Sequence, residues 1–356
     1  MKATCSARAT LVSALRCCAS GITAVLIFAA APPGSAAEAV LKLHHSLPPV
    51  SPAHRTMLEP WAKKLAGDSG GRIAVTIHPS MELGGQAPQL IDQVRDGVVD
   101  ITWTLTGYTP GRFPRTEVFE LPFLNADPVT MNLALRDFLQ KHPEEFAEFK
   151  LIAAFVHAGQ ALHSRRPIAS LADIRGLKIR IPSRISGWAV EAMGGVPIGS
   201  PVSAIPELLS RGIVDAAFIP FEVVQALRVD ELVDYPVTLD RAGSDRFNTQ
   251  VFVLAMNRDS YARLPGDLQS VVDRNSGEDT ARWLGELWMR NEEPGRARAA
   301  KSGELIRLSP AVVAELRERV EGPVQQRWFD LVARRGLNGP ELLAEARRLI
   351  EARRKP

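Results

Sequence analysis

One short unit occurs twice in this chain. Asp92–Ile101 reads DQVRDGVVDI, and Leu208–Ala216 reads LLSRGIVDA, roughly 115 residues further on. Each is the end of a helix, a glycine, an apolar pair, an aspartate and the start of a strand. Gly97 and Gly212 fall where a helix needs a left-handed residue in order to stop. Such a unit belongs to a chain that alternates helices with strands, and two copies predict two lobes of similar build. Helix-to-strand turns look alike in any α/β chain, so the unit alone leaves a single α/β body open. With two lobes, the strand ends beyond Asp100 and Asp215 face each other across a cleft.

The remaining pattern is that of an α/β protein. Val40–Leu47, Arg72–His78 and Val98–Leu105 read as strands, with helical spacing over Ser51–Ala66 and Pro88–Val94 between them. This order predicts a parallel sheet with right-handed crossovers. Val118–Leu124 is an apolar run, Pro128–Phe149 is expected as one long helix, and Leu151–His157 as a strand with Leu162–Pro167 pairing near it. Helices are expected over Ile185–Met193 and Ala204–Ser210, and strands at Pro197–Ile198, Val214–Ile219 and Gln250–Met256. From Leu264 onward the pattern is helical, with breaks expected at Pro294, Gly295, Pro310, Pro323 and Gly339–Pro340.

The first 37 residues read as a cleaved secretory signal. Lys2, Arg8 and Arg16 precede the apolar run Gly21–Ala31, and Ser35-Ala36-Ala37 offers small residues for cleavage. Cys5, Cys17 and Cys18 all lie in that segment, so the mature chain has no thiol chemistry. Removing the three basic residues takes the 43 Lys and Arg to 40, against 40 Asp and Glu. A near-neutral mature chain implies no nucleic-acid or membrane-surface partner. About 320 remaining residues suggest two domains.

Leu171–Ser183 (LADIRGLKIRIPS) is the stretch most suggestive of chemistry. Leu177, Ile179 and Ile181 alternate with Lys178 and Arg180, and Pro182 should end the strand. Arg180 therefore lies near a strand terminus, where open α/β sheets bind ligands. A guanidinium is a rigid fork of donors that matches a carboxylate. From spacing alone, Arg180 grips an anionic small molecule or makes a surface ion pair.

No catalytic set is present: there is no G-x-S-x-G elbow, P-loop, dinucleotide fingerprint or HExxH helix. No cofactor is implied. His44, His45 and His54 lack further ligands at metal spacing, so no metal site is expected; one of the adjacent imidazoles faces the cleft mouth while the other packs. Trp103, Tyr108, Phe218 and Phe221 fall at predicted strand ends and suggest a partly apolar pocket, each being open to a core role. Ser46, Thr104, Thr106 and Ser203 offer hydroxyl partners. Arg165 or Arg166 either assists Arg180 or is solvated, and Asn248 or Gln250 either reaches a ligand or caps the last strand.

The chain resembles the DctP-type substrate-binding proteins of TRAP (tripartite ATP-independent periplasmic) transporters. The resemblance is carried by Ile77–Gly85 (IHPSMELGG), Val94–Ile101 (VRDGVVDI), Val118–Leu124 (VFELPFL), Ala172–Ser183 (ADIRGLKIRIPS) and the LLSRGIVDA unit. It implies a two-lobe periplasmic binding protein fold of type II-like build, with a ligand cleft between the lobes and a helical C-terminal part. The lobes are expected at 38–157 and 158–250, with 251–356 adding a crossing strand, a long bracing helix within Pro265–Ala299 and C-terminal helices. It also implies a periplasmic receptor, not an enzyme, in which Arg180 pairs with an organic-acid carboxylate. Delivery to membrane permease subunits driven by an ion gradient follows from the same resemblance. In the sialic-acid branch a second arginine stands near the place of Gln160 here, and many members of the family carry a Gln-Glu-Asn run where this chain has Ala216–Ile219. Those departures favour a monocarboxylate with an apolar or aromatic body; a C4-dicarboxylate with Arg166 as second cation is the alternative. An enzyme or a sensory receptor for organic acids would be readings from other classes. The Arg- and Glu-rich stretch Ala311–Arg354 leaves monomer and homodimer both open.

Overall fold

The computed structural model describes residues 37–239, 241, 244–302 and 305–354. The signal expected over residues 1–37, cysteines included, lies outside the described residues except for Ala37. Among the described residues no helix is long and apolar enough to cross a membrane.

Two sheets form. The first has the order β2-β1-β3-β10-β4, from Ile73–His78 (β2), Ala39–His44 (β1), Ile101–Leu105 (β3), Val251–Asn257 (β10) and Phe149–Val156 (β4). β1, β2 and β3 are parallel, whereas β10 runs against β3 and β4. The second has the order β11-β9-β5-β8-β6-β7, from Ile306–Leu308 (β11), Tyr235–Leu239 (β9), Ala161–Ser164 (β5), Ala216–Ile219 (β8), Lys178–Ile181 (β6) and Val196–Gly199 (β7). Here β5 is the reversed strand, antiparallel to β8 and β9. Each lobe therefore takes one strand from a chain segment that has just crossed from the other side.

Where sequence and structure differ, the causes are local. Pro128–Phe149 is not one helix: the helix ends at Lys141, a 3-10 turn covers Pro143–Phe146, and β4 begins at Phe149. Pro143 disfavours helical backbone at the residue before it, and His142 sits at φ −123°, ψ 56°. Leu162–Ser164 does not pair with β4 but opens the second sheet. The apolar run Val118–Leu124 enters, in its first part, the 3-10 turn Thr116–Glu120. Pro294 and Pro323 do not break their helices, which run Glu278–Ser302 and Pro310–Ala333. A proline costs one backbone bond and a clash in a helix, and both helices continue on either side of it.

The long helix Glu278–Ser302 spans both lobes. At Gly285 it lies so close to helix Pro128–Lys141 that a Cβ would stand 2.6 Å from Val129 Cα, and at Gly295 a Cβ would stand 2.1 Å from Phe221 O. The first contact is in the lobe of β4 and the second in the lobe of β8. The chain also crosses between lobes at 157–160 and 247–250, and these segments pair: Gln160 N donates to Asn248 O at 2.8 Å and Phe247 N donates to Gln160 O at 3.1 Å.

Candidate functional site

The strand β6 ends where Pro182 removes the ladder donor, so Arg180 stands at the edge of the inter-lobe space. Its side chain is buried, 1% exposed, and main-chain oxygens orient it. Nε donates to Ser200 O at 2.9 Å, Nη2 to the same oxygen at 2.7 Å, and Nη1 to Phe218 O at 2.9 Å. Three of the five guanidinium N–H groups are thus used. Among the described residues no carboxylate pairs with Arg180; the side chain that interacts with it is the Tyr108 hydroxyl, which also accepts from Val202 N at 3.0 Å. Burial lowers the arginine's pKa, with Tyr108 opposing the shift. Arginine remains charged all the same. A buried cation without a counter-ion is costly, and an anion brought to it relieves that cost.

Arg180 borders a cavity between the lobes that encloses about 620 Å³ of empty space, its open mouth included. The first lobe contributes Ser46, Trp103, Thr104 and Tyr108; the crossing segments contribute His157, Gln160 and Gln250; the second lobe contributes Pro182, Val202 and Glu222. Phe252 of β10 and Trp288 of the long helix complete it. Trp103, Phe252 and Trp288 form a stack of nearly parallel rings: centroids lie 5.3 Å apart for Trp103–Phe252 and 6.1 Å for Phe252–Trp288, with planes 13° and 11° apart. The result is a flat aromatic wall in a space that holds one buried cation.

Five sequence-predicted residues therefore come together: Arg180, Trp103, Thr104, Tyr108 and Ser46. Four do not. Phe218 gives Arg180 its carbonyl, not its ring. Register pairs Arg180 with Ala217 and Ile179 with Ala216, so the Phe218 side chain is on the face of Ile179 and packs edge-on against Phe247 at 5.1 Å. Ser203 is exposed on the turn Val202–Ala204. Arg166 is exposed beyond β5, and Arg165 donates to Leu209 O, so neither assists Arg180. Asn248 is buried behind the cavity, donating to Ser186 Oγ at 2.9 Å. His44 and His45 are both buried: His44 Nδ1 bonds Gln93 Oε1 at 2.8 Å and His45 Nε2 bonds His54 Nδ1 at 2.9 Å, so neither faces the cleft mouth. Among the described residues no group of three His, Cys, Asp or Glu is arranged to hold a metal ion.

Phe252, Trp288 and Glu222 were missed. Alternation in Gln250–Met256 does put Gln250 and Phe252 on one face, a signal that was available. Trp288 carries none, because only the crossing of the long helix brings it to the cavity. Glu222 follows a strand end and a proline, a weak cue at best.

A family model for bacterial extracellular solute-binding proteins of family 7 (DctP) matches residues 43–330. The chain is similar to a TRAP solute binding protein from Rhodoferax ferrireducens T118 in complex with copurified benzoate: 38% identity and TM-score 0.86, covering 88% of this chain and 98% of that one. It is similar to a marine metagenome TRAP solute binding protein specific for aromatic acid ligands, in complex with 3-hydroxybenzoate: 37% identity and TM-score 0.87, covering 90% and 100%. It is also 27% identical over 325 residues to the Comamonas testosteroni outer membrane transporter protein TsaT, covering 90% of this chain and 94% of that protein.

Proposed function

Because the chain belongs to the family 7 bacterial extracellular solute-binding proteins, we propose that it is an exported TRAP receptor for an aromatic monocarboxylate. The ligand carboxylate pairs with Arg180, its ring lies against Trp103 and Phe252, and the loaded receptor hands it to a membrane permease. The observation that carries this reading is a buried arginine, braced by main-chain carbonyls and without a carboxylate partner among the described residues, in a cavity walled by parallel rings. The similarity to receptors described with benzoate and with 3-hydroxybenzoate supports it.

Binding follows a shift between open and closed lobes, driven only by contacts made in the closed state. A charge-assisted bond contributes about 1.5–3 kcal/mol. Burial of a ring adds about 25 cal/mol per Å² of apolar surface. A C4-dicarboxylate would need a second cation, and among the described residues no other Lys or Arg lines the cavity. The test is a thermal-shift screen of the mature protein against benzoate, hydroxybenzoates, succinate, malate and a keto acid, followed by calorimetry. Aromatic monocarboxylates should give the largest shifts; a larger shift with succinate or malate overturns the assignment, and consumption of the bound acid would make the protein an enzyme.

A further inference from the structure

The cavity holds more hydrogen-bond acceptors than a benzoate can use. Glu222, Gln160 and Gln250 all line it, and Glu222 Oε2, Gln160 Oε1 and Gln250 Oε1 are buried with no partner among the described residues. For Gln250 the amide orientation is fixed, because Nε2 donates to Thr249 O at 2.8 Å and to Ser186 Oγ at 3.1 Å. A carboxylate only accepts, and an unsubstituted ring neither donates nor accepts strongly. A bare aromatic acid would leave all three oxygens desolvated and unpaired, which is where a site discriminates most strongly.

Glu222 is the most telling of the three. It begins the short helix Phe221–Val224 that follows β8, in the lobe that carries Arg180. Its backbone N donates to Glu292 Oε1 at 3.2 Å, and Glu292 Oε2 is held by Arg246 Nη2 at 2.5 Å. Arg246 is spoken for elsewhere too, with Nη1 2.5 Å from Asp245 Oδ1. Arg246 pairs with Glu292, and among the described residues no cation pairs with Glu222. Burial first, and the neighbouring Glu292 second, push the Glu222 carboxyl well above its usual range. The neutral Glu222 keeps its proton, donates a hydrogen bond to the Glu292 side chain, and leaves Oε2 as an unpartnered carbonyl-like acceptor. A neutral group there does not repel the ligand's carboxylate at Arg180.

We infer that Glu222 is the specificity-determining acceptor of the site, and that the ligand is an aromatic acid bearing an O–H or N–H donor on its ring. The inference rests on the aromatic-acid reading of the cavity. Calorimetry on the full mature chain tests it, using benzoate, the three hydroxybenzoates and their methoxy counterparts, which have the same ring positions but no donor. At least one hydroxybenzoate should bind about 10-fold or more tighter than both benzoate and its methoxy analogue. In Glu222→Met the ratio of hydroxybenzoate to benzoate affinity should fall to within about 3-fold of unity, and Glu222→Gln, which keeps a carbonyl oxygen, should restore part of it. Should Glu222→Met fail to fold, the wild-type series and the Gln variant decide the question. Equal affinity for hydroxy and methoxy acids, or a preference that survives Glu222→Met, overturns the inference while leaving the aromatic-acid reading standing. No binding of any aromatic acid overturns both.

Discussion

Asp100 and Asp215 hold equivalent positions in two different sheets. Asp100 Oδ2 accepts from Lys42 N at 2.8 Å while its own N donates to Lys42 O at 3.1 Å. Asp215 Oδ2 accepts from Lys178 N at 2.9 Å while its own N donates to Lys178 O at 2.8 Å. The turns before them match as well: Val98 N donates to Gln93 O and Ile213 N to Leu208 O, each at 2.9 Å, around glycines at φ +72° and +65°. Each aspartate pins the neighbouring strand, at Lys42 within Ala39–His44 in one lobe and at Lys178, the first residue of Lys178–Ile181, in the other. The opposite ends of those strands are the ones that reach the cleft, so a device far from the ligand sets the frame that carries it.

Replacing either aspartate by alanine leaves a strand N–H, that of Lys42 or Lys178, without its side-chain partner. Each variant should lose about 1–2 kcal/mol of stability, and the asparagine variants less, because an amide oxygen still accepts. Urea unfolding monitored by circular dichroism reads this directly. A loss at only one of the two sites would show that the equivalence is geometric without being energetic.

Arg180→Ala removes the cation and leaves Ser200 O and Phe218 O without their donor. Affinity for benzoate should fall about 10- to 100-fold or more, while unfolding shows a folded protein, since the arginine's own burial is costly in the empty site. Arg180→Lys should recover little, because a single ammonium cannot hold two carbonyls and a carboxylate in the same fork. Calorimetry on folded Arg180→Ala showing unchanged affinity would remove Arg180 from the site.

How much of this was legible beforehand depends on distance along the chain. The αβ turns at Gly97 and Gly212 are encoded within ten residues, and both appear as read. The placement of Arg180 at a strand end follows from Lys178–Pro182 alone. Phe218 lies off the cavity because the register of β8 with β6 turns its side chain to the face of Ile179, a pairing that the likeness to Trp103 does not encode. Trp288 reaches the cavity through a helix that crosses both lobes, a long-range fact with no local signature. Pro143 did carry its signal, and it ends the helix that apolar spacing alone would extend to Phe149.

Phe252 lies in the ring stack with Trp103 and Trp288, and its ring also sits 5.8 Å from Phe155. Phe252→Leu keeps most of the apolar volume but loses the flat face. Affinity for aromatic acids should fall about 3- to 10-fold, the scale of one aromatic contact, with much less effect on any aliphatic monocarboxylate that binds. A parallel loss for both ligand classes would mean that Phe252 supports the fold of the cavity and not the recognition of a ring.

The brace can be tested at its tightest point. Gly295→Ala would put a Cβ 2.1 Å from the main-chain oxygen of Phe221, which no side-chain rotation relieves. It should cost about 1–3 kcal/mol. Gly322→Ala, in helix Pro310–Ala333 with nothing within 4 Å of the new Cβ, should instead stabilise by about 0.5–1 kcal/mol through helix propensity. Thermal unfolding of the two variants should therefore move in opposite directions, and a neutral Gly295→Ala would mean that the long helix slides at little cost.

Glu120 gives a pH dependence with a definite sign. It is fully buried, accepts from Val251 N at 3.1 Å, and burial pushes its carboxyl up to about 8 against that hydrogen bond. The folded protein thus keeps a proton that the unfolded chain releases above about pH 4.5. Between those values the folded state binds more protons, so the contribution of Glu120 to stability falls as pH rises, and is flat below pH 4.5 and above pH 8. Glu120→Gln does not titrate. Its stability relative to wild type should rise across that window by a few kcal/mol, about 1.4 kcal/mol per pH unit at most. His157 and His163, which burial holds down at about 3, have the opposite slope: the unfolded chain takes up their protons as pH falls below about 6.5, and stability falls with it. Urea midpoints for wild type and Glu120→Gln at pH 4.5, 6 and 8 test the first slope. A difference that does not grow with pH would show that the buried carboxyl is already ionised at neutral pH.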